Sequence, residues 1–152
     1  MMPEPLSRRV LVDRLRWVDE MVAEIERLPL NDARAFLADN RNVFTAESCL
    51  RRALEALLDC GRHILAKGFA VGATEYKEVA ARLGENGVLS PENTACLRIM
   101  AGYRNRLVHF YHEVSHEELY EICSTQLGDL TTVAYDFRRW IQSRPELLDD
   151  SL

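Results

Sequence analysis

The stretch Tyr103-Arg104-Asn105-Arg106-Leu107-Val108-His109-Phe110-Tyr111 crowds Arg, Asn, His and Tyr into little more than two helical turns. Upstream, Ser90-Pro91-Glu92 supplies an N-cap followed by Pro at the first helical position, so a helix starts there and runs through Leu97 and Met100. On a wheel of about 100° per residue, Leu97, Met100, Ala101, Leu107, Val108 and Tyr111 all fall within about 60° of Arg104. Arg104 thus interrupts an apolar face. A guanidinium on such a stripe costs several kcal/mol unless it is paired or opens into a polar cavity. Periodicity leaves both solutions open: an Arg bonded to a core carboxylate, with His109 and Tyr111 ending a helix, or an Arg facing a cleft. Asn105 and His109 lie about 40° apart on the wheel, next to Arg98, so Arg104, Asn105 and His109 can border one cleft.

The pattern on either side is helical. Leu11, Leu15, Val18, Val22, Ile25 and Leu28 recur at steps of three and four, which predicts an amphipathic helix over Ser7–Leu28, stopped by Pro29. Asn31 or Asp32 caps a second segment, with a break or bend at Asn40 to Asn42. From about Val43, Leu50, Leu54, Leu57, Leu58, Ile64 and Leu65 keep the period to Gly68, which is placed as a C-cap. Thr74 begins a short helix that ends in the Gly84 to Gly87 turn. Ser115-His116-Glu117-Glu118 fits a capping box, and Leu119 through Ile141 carry one last helix to about Arg144.

Composition agrees. Leu plus Ala number 36 against 16 for Val plus Ile, and Gly plus Pro total 12, a balance that favours helices. The 152 residues, 47% hydrophobic and 28% charged, predict one domain over residues 1–152, with loosely held ends at about 1–5 and 146–152. The fold class expected is all-α: an up-and-down antiparallel bundle of about five helices. No apolar run is long enough to span a bilayer and Met1 to Arg9 lacks the order of a secretory signal, so a cytoplasmic protein with no membrane partner is expected.

Cys49, Cys60, Cys96 and Cys123 are too dispersed for a CxxC pair and have no His at ligand spacing, so they read as buried thiols and no metal site is expected. His63, His112 and His116 read as surface positions or caps. A formal charge of -5 argues against a protein that coats nucleic acid nonspecifically, and no DNA partner is expected, but a local basic site is compatible with it. Of the 19 basic residues 17 are Arg, a side chain suited to planar phosphate contacts, although a GC-rich genome produces the same bias. Arg51 and Arg52 with Glu55 form a solvated helix face or add phosphate contacts to a nearby cleft, and Arg98 and Arg106 are further candidate phosphate contacts.

Arg104-Asn105, His109 and Tyr111 match the R-x4-H-x-Y signature of the HepT toxins, and the chain resembles this branch of the HEPN superfamily of helical ribonucleases from about Ser48 to Ile141. The Glu85-Asn86-Gly87-Val88-Leu89 turn, Gly102-Tyr103 before the Arg and the helix order carry the same likeness. The resemblance implies a HEPN fold whose active cleft lies at a homodimer interface, and a metal-independent endoribonuclease that needs no cofactor. Arg104, His109 and Asn105 would be catalytic: His109 as base towards a ribose 2′-hydroxyl, Arg104 on the charged phosphoryl oxygens, Asn105 orienting His109 or the phosphate. It further implies a toxin neutralised by an MntA-type nucleotidyltransferase antitoxin, which uses ATP to attach AMP to Tyr111. A reading of a different class is a catalytically silent helical partner that binds a nucleotidyltransferase through Arg104 and His109; the net charge leans towards it and the intact motif away from it.

Overall fold

Four of the predicted helix starts are fixed by side chains that accept an otherwise unpaired backbone N–H. Ser7 accepts from Val10 at 3.2 Å and opens α1 (Arg8–Glu26); Asp32 accepts from Ala35 at 3.1 Å and opens α2 (Ala33–Ala38). Asp39 then accepts from Arg41 at 2.9 Å and opens α3 (Asn40–His63). After α4 (Tyr76–Glu85), Ser90 accepts from Asn93 at 3.1 Å to open α5 (Pro91–His109), and Ser115 accepts from Glu118 at 3.0 Å to open α6 (His116–Thr125). The last helix is α7 (Leu127–Gln142). The structure, a computed structural model, describes residues 5–150, and of Tyr111 the backbone alone.

The all-α bundle expected from the sequence is therefore present, with seven α-helices among the described residues where about five were expected. The single helix predicted from Ser115 to Arg144 is two. At Gln126 the backbone leaves helical geometry (φ -121°, ψ 4°), and the Thr125 hydroxyl donates back to the Glu121 carbonyl at 2.6 Å. The long middle helix also departs from expectation at its end, where Ile64–Gly68 form a π-turn and the left-handed residue is Ala70 (φ 54°), not Gly68. Gly68 serves packing instead: a Cβ there would come within 3.2 Å of the Trp140 ring.

Helix α3 packs against all six other helices, and Leu50, Leu54, Leu57 and Leu58 on it are fully buried. Two glycines let α4 close onto its neighbours. A Cβ at Gly61 would lie 2.7 Å from Leu83, and one at Gly84 would lie 2.6 Å from the Thr94 hydroxyl, so α4 is pressed between α3 and α5. That approach sets the start of α4, with Tyr76, against polar side chains of both. Asp136 on α7 accepts hydrogen bonds from the Ser90 N–H at 3.1 Å and the Asn93 amide at 2.8 Å, fixing the first turn of α5.

The tail expected to be loose is partly tied down. Leu148–Asp149 (β2) pair in parallel with Leu6–Ser7 (β1), and Leu6 is fully buried. The Ser7 N–H also donates to Nε2 of His63 at 3.3 Å, so this histidine is a half-buried acceptor and not a surface residue. The four cysteines are free; Cys60 and Cys123 are buried, with thiols pushed up to about 12 by desolvation, while Cys49 and Cys96 are half-buried. Among the described residues no helix is long and apolar enough to cross a membrane.

Candidate active site

Arg104 reaches the surface of the bundle at the last turns of α5, where its side chain is 21% exposed. Its charge is met on two sides. Nε lies 3.6 Å from Oε1 of Glu55 on α3, and the guanidinium carbon stands 4.6 Å from the centre of the Tyr76 ring. Nη1 donates to the Asn105 side-chain oxygen at 3.3 Å. Both solutions left open by the wheel are thus combined: Arg104 has a carboxylate behind it and a polar cavity in front of it.

That cavity, of about 540 Å³, is lined by Arg104, Asn105, His109 and Phe110 from the end of α5, and by Arg62, Thr74, Glu75, Tyr76 and Lys77 from the end of α3 and the approach to α4. His109 is the last residue of α5 and is exposed, its ring set edge-on to Phe110 at 6.4 Å between centroids. Phe110 leaves the helix at φ -133°, a conformation open to any residue. Asn105 accepts a hydrogen bond from Arg104 and lines the cavity beside His109. Tyr111 begins a short 3-10 turn over Tyr111–Glu113; its side chain lies outside the described residues.

Of the four arginines named as further phosphate contacts, none lines this cavity. Arg106 forms a fork with Glu118 at 2.6 and 2.7 Å, which holds that carboxyl below its ordinary range and ties α5 to the start of α6. Arg51 lies 3.6 Å from Glu55. Arg98 shares Asn105's side of the wheel but sits about 9 Å further up the helix axis from Arg104, where it lines a separate groove with Ile99, Gly102 and Tyr103. Arg52 is exposed on α3.

The cations that do reach the cavity are Arg62 and Lys77. The sequence signal for Arg62 is a charged stripe along α3, Arg51, Glu55, Asp59 and Arg62 at steps of four, four and three, which reads as a solvated face until Tyr76 and Arg104 are packed on it. Tyr76 donates its hydroxyl to Asp59 at 2.8 Å, and burial together with that carboxylate pushes its phenol above the usual range. Among the described residues no group of three or more His, Cys, Asp and Glu is arranged to hold a metal ion.

Solved structures share the helical fold that carries this cavity. A tri-AMPylated Shewanella oneidensis HEPN toxin in complex with an MNT antitoxin superposes with a TM-score of 0.77 at 18% identity, covering 86% of this chain and 97% of that one. YutE from Bacillus subtilis, a cytosolic protein of unknown function, superposes with a TM-score of 0.81 at 15% identity, covering 97% and 99%. In sequence, the tRNA nuclease HepT of Aphanizomenon flos-aquae (strain 2012/KM1/D3) is 27% identical over 112 residues, 74% of this chain and 74% of that protein. Residues 18–136 match the profile of the ribonuclease HepT-like family, and the chain belongs to that family.

Proposed function

We propose that the protein is the toxin of a toxin–antitoxin pair, a cytoplasmic endoribonuclease that cuts RNA without a metal or other cofactor. The observation that carries this reading is the convergence of Arg104, Asn105 and His109 on one open, polar cavity. Neutral His109 takes the proton of a ribose 2′-hydroxyl, and the freed oxygen attacks the adjacent phosphorus. The bond from phosphorus to the 5′-oxygen breaks, leaving a 2′,3′-cyclic phosphate and a 5′-hydroxyl. Arg104, restrained by Glu55, Asn105 and Tyr76, stabilises charge on the phosphoryl oxygens as it builds. In a homodimer whose two cavities face one cleft, the second His109 supplies the proton for the leaving 5′-oxygen.

The antitoxin of this reading is an MntA-type nucleotidyltransferase that transfers AMP from ATP to the Tyr111 hydroxyl. The added phosphate and bulk, two residues from His109, then exclude an RNA phosphate by charge and size. Support for such a partner comes from the S. oneidensis relative, a HEPN toxin solved in AMPylated form with an MNT antitoxin.

The test is incubation of mass-checked, unmodified protein and its His109→Ala variant with total RNA in excess EDTA, followed by end-group analysis. Cutting by the wild type alone, with cyclic phosphate ends, is the expected result. Intact RNA with protein that carries no AMP would favour the silent-partner reading, for which the net charge of -5 is the supporting observation.

A further inference from the structure

Tyr76 has a guanidinium from each side of the cavity against its ring. The guanidinium carbons of Arg62 and Arg104 each stand 4.6 Å from the ring centre, so the two charges lie within about 9 Å of each other across one aromatic group. The ring is itself fixed, since it is 9% exposed and its hydroxyl is bonded to Asp59. Like charges brought together raise the energy of the site, and Glu55 and Asp59 offset this only in part, because Glu55 is shared with Arg51 and Asp59 with the Tyr76 hydroxyl. Asp59 and Glu55 stand 3.7 and 3.6 Å from the nearest guanidinium nitrogens, beyond good hydrogen-bond length, and the Nε atoms of Arg62 and Arg104 have no hydrogen-bond partner. Arg62 spends one N–H on the Thr74 carbonyl at 3.2 Å, which aims its planar group along the cavity wall.

We infer that Arg62 is a second phosphate contact in this cavity and that Tyr76 is the positioning residue that holds Arg62 and Arg104 at a fixed separation. The ligand is a phosphodiester strand with at least two consecutive phosphates: one at Arg104 and His109, where the chemistry of the proposed function takes place, and a neighbouring one at Arg62. This extension rests on the nuclease reading for its substrate, but the subsite binds a strand whether or not it is cut.

Binding is therefore measured with a short 2′-O-methyl RNA, which keeps the phosphates and lacks the attacking hydroxyl, and cutting is measured in parallel on the unmodified strand. Arg62→Gln is expected to weaken binding roughly tenfold, the scale of one charge-assisted contact, and to lower the slope of log affinity against log salt by about 0.7, one phosphate's share for a single strand. Arg62→Lys restores the slope. Tyr76→Leu weakens binding as Arg62→Gln does, while Tyr76→Phe, which keeps the ring and loses only the bond to Asp59, binds within about threefold of wild type. Thermal melting of each variant shows that it is folded. Affinity and slope unchanged in Arg62→Gln, with the wild type cutting RNA, would overturn the subsite and leave the nuclease reading intact. Arg62-dependent binding by a protein that cuts nothing would do the reverse. No binding by the wild type at low salt would also overturn the subsite.

Discussion

The Nε atom of Arg104 lies 3.6 Å from Oε1 of Glu55, close enough for Coulomb attraction and too far for a good hydrogen bond. The ion pair therefore restrains the guanidinium without occupying it. Its position over the Tyr76 ring and its bond to Asn105 restrain the directions in which the remaining donors point. A lysine at this position keeps the charge and loses the plane. Arg104→Lys is expected to reduce cutting at saturating RNA by about 100-fold, measured in single turnovers; activity within a few-fold of wild type would show that charge alone suffices.

Tyr111 follows His109 by two residues, at the start of the 3-10 turn that leaves α5. Tyr111→Phe removes the one atom to which AMP is attached in the proposed neutralisation. On the proposed function, cells expressing it with the nucleotidyltransferase partner are expected to stop growing, and so are cells expressing the wild-type protein alone. Growth as complete as with the wild-type pair, with AMP still present on the variant, would count against transfer to this hydroxyl.

Asp136 is 8% exposed and joins α7 to the first turn of α5 through the Ser90 N–H and the Asn93 amide. Asp136→Ala strips two partners from half-buried donors, a loss of about 2 kcal/mol and of about 4–8 °C in Tm. The cavity is at the other end of α5, so RNA cutting below the melting range should stay at the wild-type level. An unchanged Tm would mean that water replaces the carboxylate at no cost.

His63 gives the fold a pH dependence of definite sign. Burial, then the nearby Lys67 and Arg14 charges, lower its pKa from 6.5, and its Nε2 must stay unprotonated to accept from Ser7. As pH falls below 6.5 the unfolded chain takes up this proton before the folded one does, so stability decreases with acid and levels off only below the folded value. Urea midpoints should therefore drop between about pH 7.5 and 5.5, and less steeply in His63→Gln. Equal pH slopes for the two proteins would remove His63 as the cause.

Helix starts were legible because they depend on one side chain and its own backbone: Ser7, Asp32, Ser90 and Ser115 each cap the helix they were expected to begin. The interruption at Gln126 was hidden because Ile122, Cys123, Leu127 and Leu130 are buried on both sides of it, so the apolar period runs through the break. At the site, Arg104, Asn105 and His109 share one helix, and a wheel is enough to group them. Arg62, Tyr76 and Lys77 join them only through the packing of α3, α4 and α5, which no local period encodes. The wheel also cannot show distance along its axis, which is why Arg98 looked like a neighbour of the cavity.

The pairing of Leu6 with Leu148 makes the entire bundle the crossover between two parallel strands. The contact joins residues 142 positions apart, so it forms only once the seven helices between them are in place. Leu6 is fully buried beside Gly68 and Trp140, so its cover is supplied by segments far from it in the chain. The clasp thus closes the seam of the bundle: without Leu148 and Asp149 the backbone of Leu6 and Ser7, at the start of α1, loses its strand partner.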